Sequence, residues 1–425
     1  MLEISYIREN RERVLEGLKV RNFPEEERQI VDEVLALDEK RKSLQTELDI
    51  QLAERNTLSK SIGDLFKQGK KDEATELRQK VNDLKEVAGE LEQSLKATKE
   101  ELTKQLLVLP NVPHPSVPTG NTDEDNEVTK DWEGSLPVLG ADAKPHWELA
   151  DKYNIFDLEL GVKIAGSGFP VFRAKGAKLV RSLISFFLDE AGRAGYEEVI
   201  PPLLVSEQTA YSTGQLPDKE GQMYHAVKDD LYLIPTAEVP VTNIFRDVII
   251  KEDDFPVKLT AYTPCFRREA GSYGAHVRGL NRVHQFDKVE IVRIEHPDRS
   301  YQALDEMVAH VESLLQKLEL PYRILRLCGG DLGFTSALTF DFEVYSAAQK
   351  RWLEVSSVSN FETFQTNRLK LRYKSEKGNQ LAHTLNGSAL ALARIIAAII
   401  ENNQSPEGIR IPKVLQSYTG FDLID

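Results

Sequence analysis

The most regular feature of the sequence is a set of apolar positions in the first quarter of the chain whose spacing alternates between four and three. One stripe runs through Ile30, Val34, Leu37, Arg41, Leu44, Leu48, Gln51, Arg55, Leu58, Ile62 and Leu65, and a second through Leu77, Val81, Leu84, Ala88, Leu91, Leu95, Thr98 and Leu102. This spacing is typical of a coiled coil. Between the stripes lie Gly63, Gly69 and several lysines. The pattern predicts two helices and a short turn, an antiparallel hairpin spanning about residues 28–106.

Basic residues at the turn and in the seam of this hairpin are candidates for contact with nucleic acid. Roughly 36 residues per helix, at ~1.5 Å each, give an arm ~50 Å long. The candidates are Arg41, Arg55, Lys60, Lys67, Lys70 and Lys71. Their charge stands out in an acidic chain, so phosphate contact along the arm is one interpretation. A structural or dimerising coiled coil with solvated charges is the other.

A change of composition marks a domain boundary after the hairpin. From Leu109 to Asp131 the periodicity gives way to prolines, a glycine and an acidic run. Such a segment is typical of a linker. The sequence therefore predicts an N-terminal domain over residues 1–109, a linker over 110–131 and a second domain over 132–425.

The second domain combines helices and strands without regular alternation. An amphipathic pattern predicts a helix over 174–194 that ends before Gly195. Short runs rich in β-forming residues follow, at 237–244, 286–294 and 340–345 among others. This order predicts an α+β domain built on an antiparallel sheet rather than a doubly wound parallel one.

Two glycine-rich segments invite a nucleotide-loop interpretation. They are Gly166–Gly168 and Gly329–Gly333. Neither has the full dinucleotide or P-loop fingerprint. We expect a turn at each.

Composition narrows the class of protein. The chain has 425 residues, of which 41% are hydrophobic and 29% charged, so it has room for two domains and a large core. No segment approaches ~18 uninterrupted apolar residues, and the first 22 residues lack a signal-peptide pattern. Cys265 and Cys328 are too few for a disulfide framework and too far apart for a CxxC zinc motif. We expect a cytoplasmic protein, and its formal charge of −14 confines any nucleic-acid contact to a local basic patch.

Two segments carry polar groups suited to a small zwitterion and a nucleotide. In Thr236-Ala237-Glu238 a hydroxyl and a carboxylate can bind an ammonium and a small polar side chain. The alternative is a surface strand that carries the same three residues. In Phe266-Arg267-Arg268-Glu269, strand alternation places Arg267 and Glu269 on one face. A guanidinium grips phosphate oxygens bidentately.

The next predicted strand adds Phe286 and Glu290, which also share a face. An aromatic ring can stack on a base, and a carboxylate ~13 Å along the strand reaches a different ligand group. Cross-strand salt bridges with one core phenylalanine are the alternative.

Two further segments suggest a cation and an anion site. Glu354-Val355-Ser356-Ser357 offers carboxylate and hydroxyl oxygens, the donors that Mg²⁺ prefers. An ideal strand puts Glu354 and Ser357 on opposite faces, so a shared ion requires a bulge or a strand end between them. Leu385-Asn386-Gly387-Ser388 precedes an apolar helix containing Arg394. A buried arginine is costly unless it meets an anion.

The order of these segments resembles the three signature motifs of class II aminoacyl-tRNA synthetases, and most closely the bacterial seryl-tRNA synthetase family. That family's motifs occur here as TAE at Thr236, FRREAGS at Phe266, HQFDKVE at His284, EVSS at Glu354 and TLNGS at Thr384. The resemblance extends to RENRERV near the start, the LPNVPHPSVP linker and GIRIP near the end. It spans essentially the whole chain.

The resemblance implies an enzyme that activates L-serine with ATP and transfers it to tRNA(Ser), with tRNA(Sec) left open. Its implied serine-binding residues are Thr236, Ala237, Glu238, Arg267, Glu290 and Ser388; its ATP-binding residues are Arg267, Arg268, Glu269, Phe286, Glu354, Val355, Ser356, Ser357 and Arg394. It also implies Mg²⁺ on Glu354 and Ser357, catalytic roles for Arg267 and Arg394, and a homodimer. The zinc-dependent variant is disfavoured, because two separated cysteines cannot supply its ligands. Glu290→Ala is expected to abolish serine activation without disturbing folding.

Departures from the common family pattern are confined to small or loop residues: Ala275, His276, Val277, Val358, Ala389 and Ala393. Two rival functions remain. A ligase that charges a carrier protein would not need the arm, and a non-catalytic paralogue would have lost Arg267, Arg394 or Glu354.

Overall fold

The computed structural model describes residues 1–218, 220–269 and 277–425. Within them the chain divides into two compact units. The smaller comprises Leu2–Lys19 and Phe23–Pro110, and the larger comprises Asn111–Asp425 together with Met1 and Val20–Asn22. Of the predicted linker, 110–131, all residues except Pro110 fall within the larger unit.

The smaller unit is helical. Its helices are α1 Ile4–Glu9, α2 Arg11–Val20, α3 Ile30–Lys67 and α4 Lys71–Leu106. The last two pair along their length, with Leu48 of α3 buried against Ala88 and Leu95 of α4. The antiparallel hairpin is confirmed, and its turn contains Gly69 at φ +77°, a conformation that favours glycine. The predicted interruption begins later than Gly63, because α3 continues to Lys67.

The larger unit is built around an eight-stranded sheet with the order β1-β11-β12-β13-β16-β10-β9-β4. Its strands and those of the smaller sheets are β1 Glu127–Lys130, β2 Phe156–Asp157, β3 Val171–Phe172, β4 Glu197–Glu198, β5 Leu204–Ser206, β6 His225–Ala226, β7 Leu231–Leu233, β8 Ile249–Lys251, β9 Val257–Phe266, β10 Gln285–Glu295, β11 Tyr322–Arg326, β12 Leu338–Ser346, β13 Arg351–Glu362, β14 Arg372–Ser375, β15 Gly378–Leu381, β16 His383–Ala391, β17 Gln404–Ser405, β18 Gly408–Arg410 and β19 Leu423–Ile424. Every neighbouring pair in the large sheet is antiparallel except β4 with β9. The predicted α+β class is confirmed.

Helices of the larger unit pack around this sheet, and three of the longer ones share its main core. The helices are α5 His146–Tyr153, α6 Leu158–Ile164, α7 Ala174–Arg193, α8 Glu207–Thr213, α9 Glu238–Asn243, α10 Ser300–Lys317, α11 Phe364–Leu369, α12 Leu392–Asn402 and α13 Gln416–Thr419. Helix α7 buries Leu179, Leu183, Phe186 and Phe187 at helical spacing, whereas α12 is buried almost all round. Among the described residues, no helix is both long and apolar enough to cross a membrane.

Alternation along the strands separates an apolar face from a polar one. Phe342, Val358 and Ile291 point into the core beneath α7, α10 and α12. Their neighbours in sequence and register, such as Asp341, Ser357 and Glu290, point the other way. The sheet therefore presents one polar face, on which the predicted site lies.

Most local predictions are confirmed and two are wrong. Helix α7 and strands β10 and β12 lie where predicted, and both glycine-rich segments form turns, with Gly166 and Gly168 at positive φ. Residues 237–244 do not form a strand; Glu238–Asn243 form helix α9 instead. Proline lacks a backbone N–H, but Pro240 is tolerated because it lies in the first turn, where an N–H would have no helical partner. Strand β9 ends at Phe266, so Arg267 and Glu269 lie beyond the strand instead of sharing one of its faces.

Candidate active site

The polar face of the sheet forms the floor of a cavity of about 460 Å³. Of the residues predicted to bind serine or ATP, those lining the cavity are Thr236, Glu238, Arg267, Glu269, Phe286, Glu354, Val355, Ser356, Ser357, Ser388 and Arg394. Ala237, Arg268 and Glu290 do not line it. Ala237 is fully buried in an apolar cluster with Val241 and Leu259, and Arg268 is exposed.

Glu290 lies directly beneath one end of the cavity and is fully buried. Its carboxylate accepts from three donors: the Thr236 hydroxyl at 2.8 Å, the Asn386 amide at 2.7 Å and the Lys288 ammonium at 2.5 Å. Lys288 also donates to Thr236 Oγ1 at 3.1 Å. A carboxylate has about four lone-pair sites, so these three donors leave one of them unused.

Glu238 is the second buried carboxylate at this end of the cavity. Helix α9 begins with it, and its Oε1 accepts from Gln365 Nε2 at 2.6 Å. Gln365 is oriented in turn by the Thr384 hydroxyl, which donates to its Oε1 at 2.7 Å. Burial raises the pKa of Glu238 to about 7, although the bond from Gln365 opposes the shift. A cation arriving beside Glu238 would favour its ionised form.

The part of the same cavity around Phe286, called the arginine end below, contains Arg267, Arg282 and Arg394. The guanidinium carbon of Arg267 lies 5.2 Å from the centre of the Phe286 ring, and Arg267 Nε donates to the Pro235 carbonyl at 3.4 Å. Glu269 is paired with Arg282 at 2.8 Å. An aromatic face bordered by guanidinium groups suits a nucleotide, because the ring can stack on a base while the cations meet phosphate. Gly271, Gly274, Ala275 and His276 lie outside the described residues.

Arg394 enters the cavity from the first turn of α12. Its Nε donates to the Asn281 carbonyl at 2.9 Å and its Nη1 to the Glu354 carbonyl at 2.6 Å. The same Nη1 lies 3.8 Å from Glu354 Oε2. Two carbonyls from different segments thus hold the guanidinium in one orientation.

The pairing of β12 with β13 explains how Glu354 and Ser357 reach one face. Asp341 is opposite Ser357 and Glu343 is opposite Glu354, so the ladder passes over Val355. This β-bulge adds one residue between the pairs, which restores a common face to side chains three positions apart. The bulge required by the sequence argument is present.

Asp341 completes a cluster of oxygen atoms beside Glu354 and Ser357. Its Oδ1 is buried and has no hydrogen-bond partner among the described residues. Burial, and next the Glu354 carboxylate, raise the pKa of Asp341 well above its usual range, against the hydrogen bond from Ser357. No group of three or more His, Cys, Asp or Glu in the described part of the chain is spaced to hold a metal. The cluster offers two carboxylates and a hydroxyl, a donor set that fits a hard divalent cation bound jointly with a phosphate.

His284, from the HQFDKVE motif, has a structural environment. Its Nδ1 is 2.8 Å from the Tyr224 hydroxyl and its ring stacks on Phe169. A Cβ on Gly168 would lie 2.1 Å from the imidazole, so a glycine is required there. These contacts fix the ring between neighbouring loops.

The basic residues of the arm differ in how far they are already paired. Arg41 donates twice to Asp38 in the seam. Burial alone would raise the pKa of Asp38, but Arg8, Arg41 and Lys42 together hold it at about 2. Arg41 therefore stabilises the base of the hairpin.

Nearer the turn, the lysines lie on the surface. Lys67 pairs with Asp64 at 3.3 Å and Lys70 with Glu73 at 3.2 Å. Lys60 and Lys71 are exposed and Arg55 is half-buried. Exposed pairs of this kind are weak, so a phosphate can displace them.

Sequence reasoning missed Lys288, Asn386 and Asp341. Lys288 lies between Phe286 and Glu290 at strand spacing, so alternation alone places it on the same face. Asn386 is within the quoted TLNGS motif. Asp341 left no such signal, because its position beside Ser357 depends on which strands pair.

Comparison with known proteins defines the class first. Residues 223–403 match the family model of the tRNA synthetase class II core domain (G, H, P, S and T), and residues 1–113 match that of the seryl-tRNA synthetase N-terminal domain. The fold is thus that of a class II aminoacyl-tRNA synthetase.

Similar whole chains narrow the class to one family. The serine–tRNA ligase of Salinibacter ruber is 51% identical, covering 99% of this chain and 98% of its own, and that of Nautilia profundicola is 47% identical over 98% and 100%. The crystal structure of the Pyrococcus horikoshii seryl-tRNA synthetase complexed with ATP aligns with a TM-score of 0.90 and 34% identity, over 100% of this chain and 99% of that one. The chain belongs to the serine–tRNA ligase family.

Proposed function

We propose that this protein is a serine–tRNA ligase that activates L-serine with ATP and then esterifies serine to the 3′ end of tRNA(Ser). The observation that carries the proposal is one cavity lined by the buried Glu238 carboxylate, with Glu290 buried beneath it, and by an aromatic ring bordered by arginines. Such a cavity suits an amino acid and a nucleotide bound side by side. ATP is the substrate that the Pyrococcus horikoshii relative holds.

Serine occupies the acidic end in this proposal. Glu238 meets the ammonium, Glu290 accepts from the serine hydroxyl through its remaining lone pair, and Thr236 and Ser388 line the same end. Ala237 contributes through its backbone position only, because its side chain is in the core. Alanine is disfavoured because it would leave a buried carboxylate without its hydroxyl partner, and threonine is excluded by space.

ATP occupies the arginine end. Phe286 stacks on the base, Arg267 and Arg394 meet phosphate oxygens, and Arg267 also reaches the serine carboxylate. Glu269 and the backbone around Val355 and Ser356 border the nucleotide, while Arg268 acts from outside the cavity wall. These assignments follow the family motifs and the cavity lining.

In the first step the serine carboxylate attacks the α-phosphorus. The new P–O bond forms as the bond to the β-phosphate breaks in line, and pyrophosphate leaves. Arg267 and Arg394 stabilise charge on the phosphate oxygens, and alignment supplies most of the acceleration without a protein base. In the second step the terminal ribose hydroxyl of tRNA attacks the activated carbonyl and AMP leaves.

Mg²⁺ would be held by Glu354 and Ser357, supported by the bulge that aligns them and by the unpartnered oxygen of Asp341. The ion would neutralise phosphate charge when bound. The backbone carbonyl of Glu354 also keeps Arg394 in place, by accepting from its Nη1.

Three further parts of the proposal concern the tRNA acceptor, the oligomeric state and the cellular compartment. The arm presents Arg55, Lys60, Lys67, Lys70 and Lys71 to tRNA, with tRNA(Sec) a second possible acceptor. A homodimer forms near Pro201, supported by Ile200, which is 90% exposed, and by exposed Leu203 and Leu204. Free thiols at Cys265 and Cys328 fit a reducing cytoplasm.

Exchange of pyrophosphate into ATP, measured without tRNA, tests the first step. Serine, threonine, alanine, cysteine and glycine are compared, and we expect serine to stimulate exchange well above the others. A different preferred amino acid would overturn the assignment of the acidic end. Absence of exchange in well-folded protein would favour a non-catalytic paralogue.

A further inference from the structure

A buried histidine–glutamate pair lies outside the cavity, between α5 and α12. His146 is the first residue of α5 and Glu401 is near the end of α12, and both side chains are fully buried. His146 Nδ1 is 2.6 Å from Glu401 Oε1, and the His146 backbone N–H donates to the same oxygen at 2.9 Å. Glu401 is about two helical turns beyond Arg394 on the same helix.

The other ring nitrogen of His146 fixes the tautomer. The backbone N–H of Leu280 donates to His146 Nε2 at 2.8 Å. A backbone N–H can only donate, so Nε2 carries the lone pair and the proton is on Nδ1, where it is donated to Glu401. The ring is therefore neutral and held at both nitrogens.

The segment held by His146 leads directly to the cavity. Leu280 and Asn281 both line it, and the Asn281 carbonyl accepts from Arg394 Nε at 2.9 Å. The Asn281 side chain donates to Gln349 Oε1 at 3.0 Å, and Gln349 Nε2 donates to Glu401 Oε1 at 3.0 Å. A closed ring of hydrogen bonds thus connects His146, the 280–281 segment and both ends of α12.

A glycine permits this close approach. Gly279 has φ +70°, and a Cβ built on it would lie 2.1 Å from His146 Nε2. Any larger residue would push the segment off the imidazole, in addition to the strain of its backbone conformation. The segment therefore fits against His146 only with glycine at this position.

We propose that His146 is a positioning residue for ATP: it holds Leu280 and Asn281 so that the Asn281 carbonyl aims the Arg394 guanidinium into the cavity. The inference rests on the proposed function, which gives Arg394 its phosphate. It assigns His146 no contact with substrate. Because Arg394 belongs to the nucleotide end, the effect should appear in the KM for ATP and not in the KM for serine.

Two conservative variants separate the two bonds made by the imidazole. The longer side chain of His146→Gln places its amide oxygen near the position of Nε2, where it can accept from the Leu280 N–H. The shorter side chain of His146→Asn reaches only the position of Nδ1, so it can donate to Glu401 but cannot accept from Leu280. In pyrophosphate exchange we expect His146→Asn to lower kcat/KM for ATP by about 10- to 100-fold, through KM, and His146→Gln to recover most of that loss. Thermal unfolding is measured on both, and similar stability excludes a general folding defect.

A double-mutant cycle tests whether His146 acts through Arg394. In an Arg394→Met background, His146→Asn should have little further effect on the KM for ATP, because the guanidinium it positions is gone. Gly279→Ala should raise the same KM, while Gly378→Ala is the matched control. Gly378 also has positive φ, at +100°, but a Cβ there meets no atom of the described residues within 4 Å.

Serine-dependent exchange by the unmodified protein establishes the proposed function independently of these variants. If both His146 variants lose stability equally and keep the KM for ATP, His146 is only structural and the inference is overturned. Independent, multiplicative effects of His146→Asn and Arg394→Met would overturn it as well. A KM for ATP raised by His146→Asn, recovered by His146→Gln and insensitive in the Arg394→Met background supports it.

Discussion

Replacing Glu290 tests the most tightly organised part of the serine end. The Glu290 carboxylate is fully buried, and its partner Lys288 is 6% exposed, with nitrogen and oxygen 2.5 Å apart. Glu290→Ala would leave the buried ammonium hydrogen-bonded to the Thr236 hydroxyl but without its ion-pair partner. Breaking a buried pair from one side costs about 3–5 kcal/mol of the free energy of unfolding. This is a large share of the roughly 5–15 kcal/mol available to a folded domain, so the expectation of undisturbed folding needs revision.

The matched variant is the double substitution Lys288→Met with Glu290→Gln. It removes both charges and nearly preserves volume, so it should recover most of the stability lost in Glu290→Ala. Both variants should lose serine-dependent exchange, with kcat/KM for serine about 10²- to 10⁴-fold lower, since the ligand hydroxyl no longer meets a carboxylate.

Urea unfolding of the single and double variants, with exchange measured on the same preparations, checks both statements. A double variant that is no more stable than Glu290→Ala would refute the argument for a strong ion pair. A stable double variant that still responds to serine would remove Glu290 from the serine site.

Four other changes have defined outcomes. Burial raises the pKa of Glu238 to about 7, so its carboxylate gains charge as pH rises through 7. The KM for serine should therefore fall between about pH 6 and pH 8. In Glu238→Gln the KM for serine should no longer depend on pH in this range. Phe286→Ala should raise the KM for ATP about 10-fold or more while leaving that for serine nearly unchanged, since a lost stacking ring costs about 1–3 kcal/mol. Asp341→Asn should weaken Mn²⁺ binding in the presence of ATP, measured by electron paramagnetic resonance under conditions without turnover. Unchanged affinity for Mn²⁺ would exclude Asp341 from the cation site. Deleting residues 31–106 should abolish tRNA charging and spare exchange, and equal loss of both would indicate a structural arm.

Features determined by local periodicity were predictable from the sequence. The hairpin, helix α7 and strands β10 and β12 all follow from spacing alone. The prediction of a strand at residues 237–244 was wrong because β-branched residues and a proline also suit a short buried helix. Only packing distinguishes the strand from the helix there.

The candidate site was predictable where family motifs mark it, and so were two of the residues that contact its carboxylate. Lys288 and Asn386 could have been read from strand alternation and from the motif itself. Asp341 is brought beside the site by strand order. His146 and Glu401 are brought together outside the cavity by helix packing, although they are 255 residues apart in the chain. Their roles depend on tertiary contacts that no local pattern carries.

The bulge at Val355 has an evolutionary consequence for the spacing of Glu354 and Ser357. Because the ladder already skips Val355, a lineage that deleted this residue would obtain an uninterrupted strand with both oxygen ligands still facing the same way. Spacings of two and three residues are therefore equivalent at this position. A relative with the shorter spacing should be counted as retaining the site, whereas an insertion between Ser356 and Ser357 would turn one ligand away.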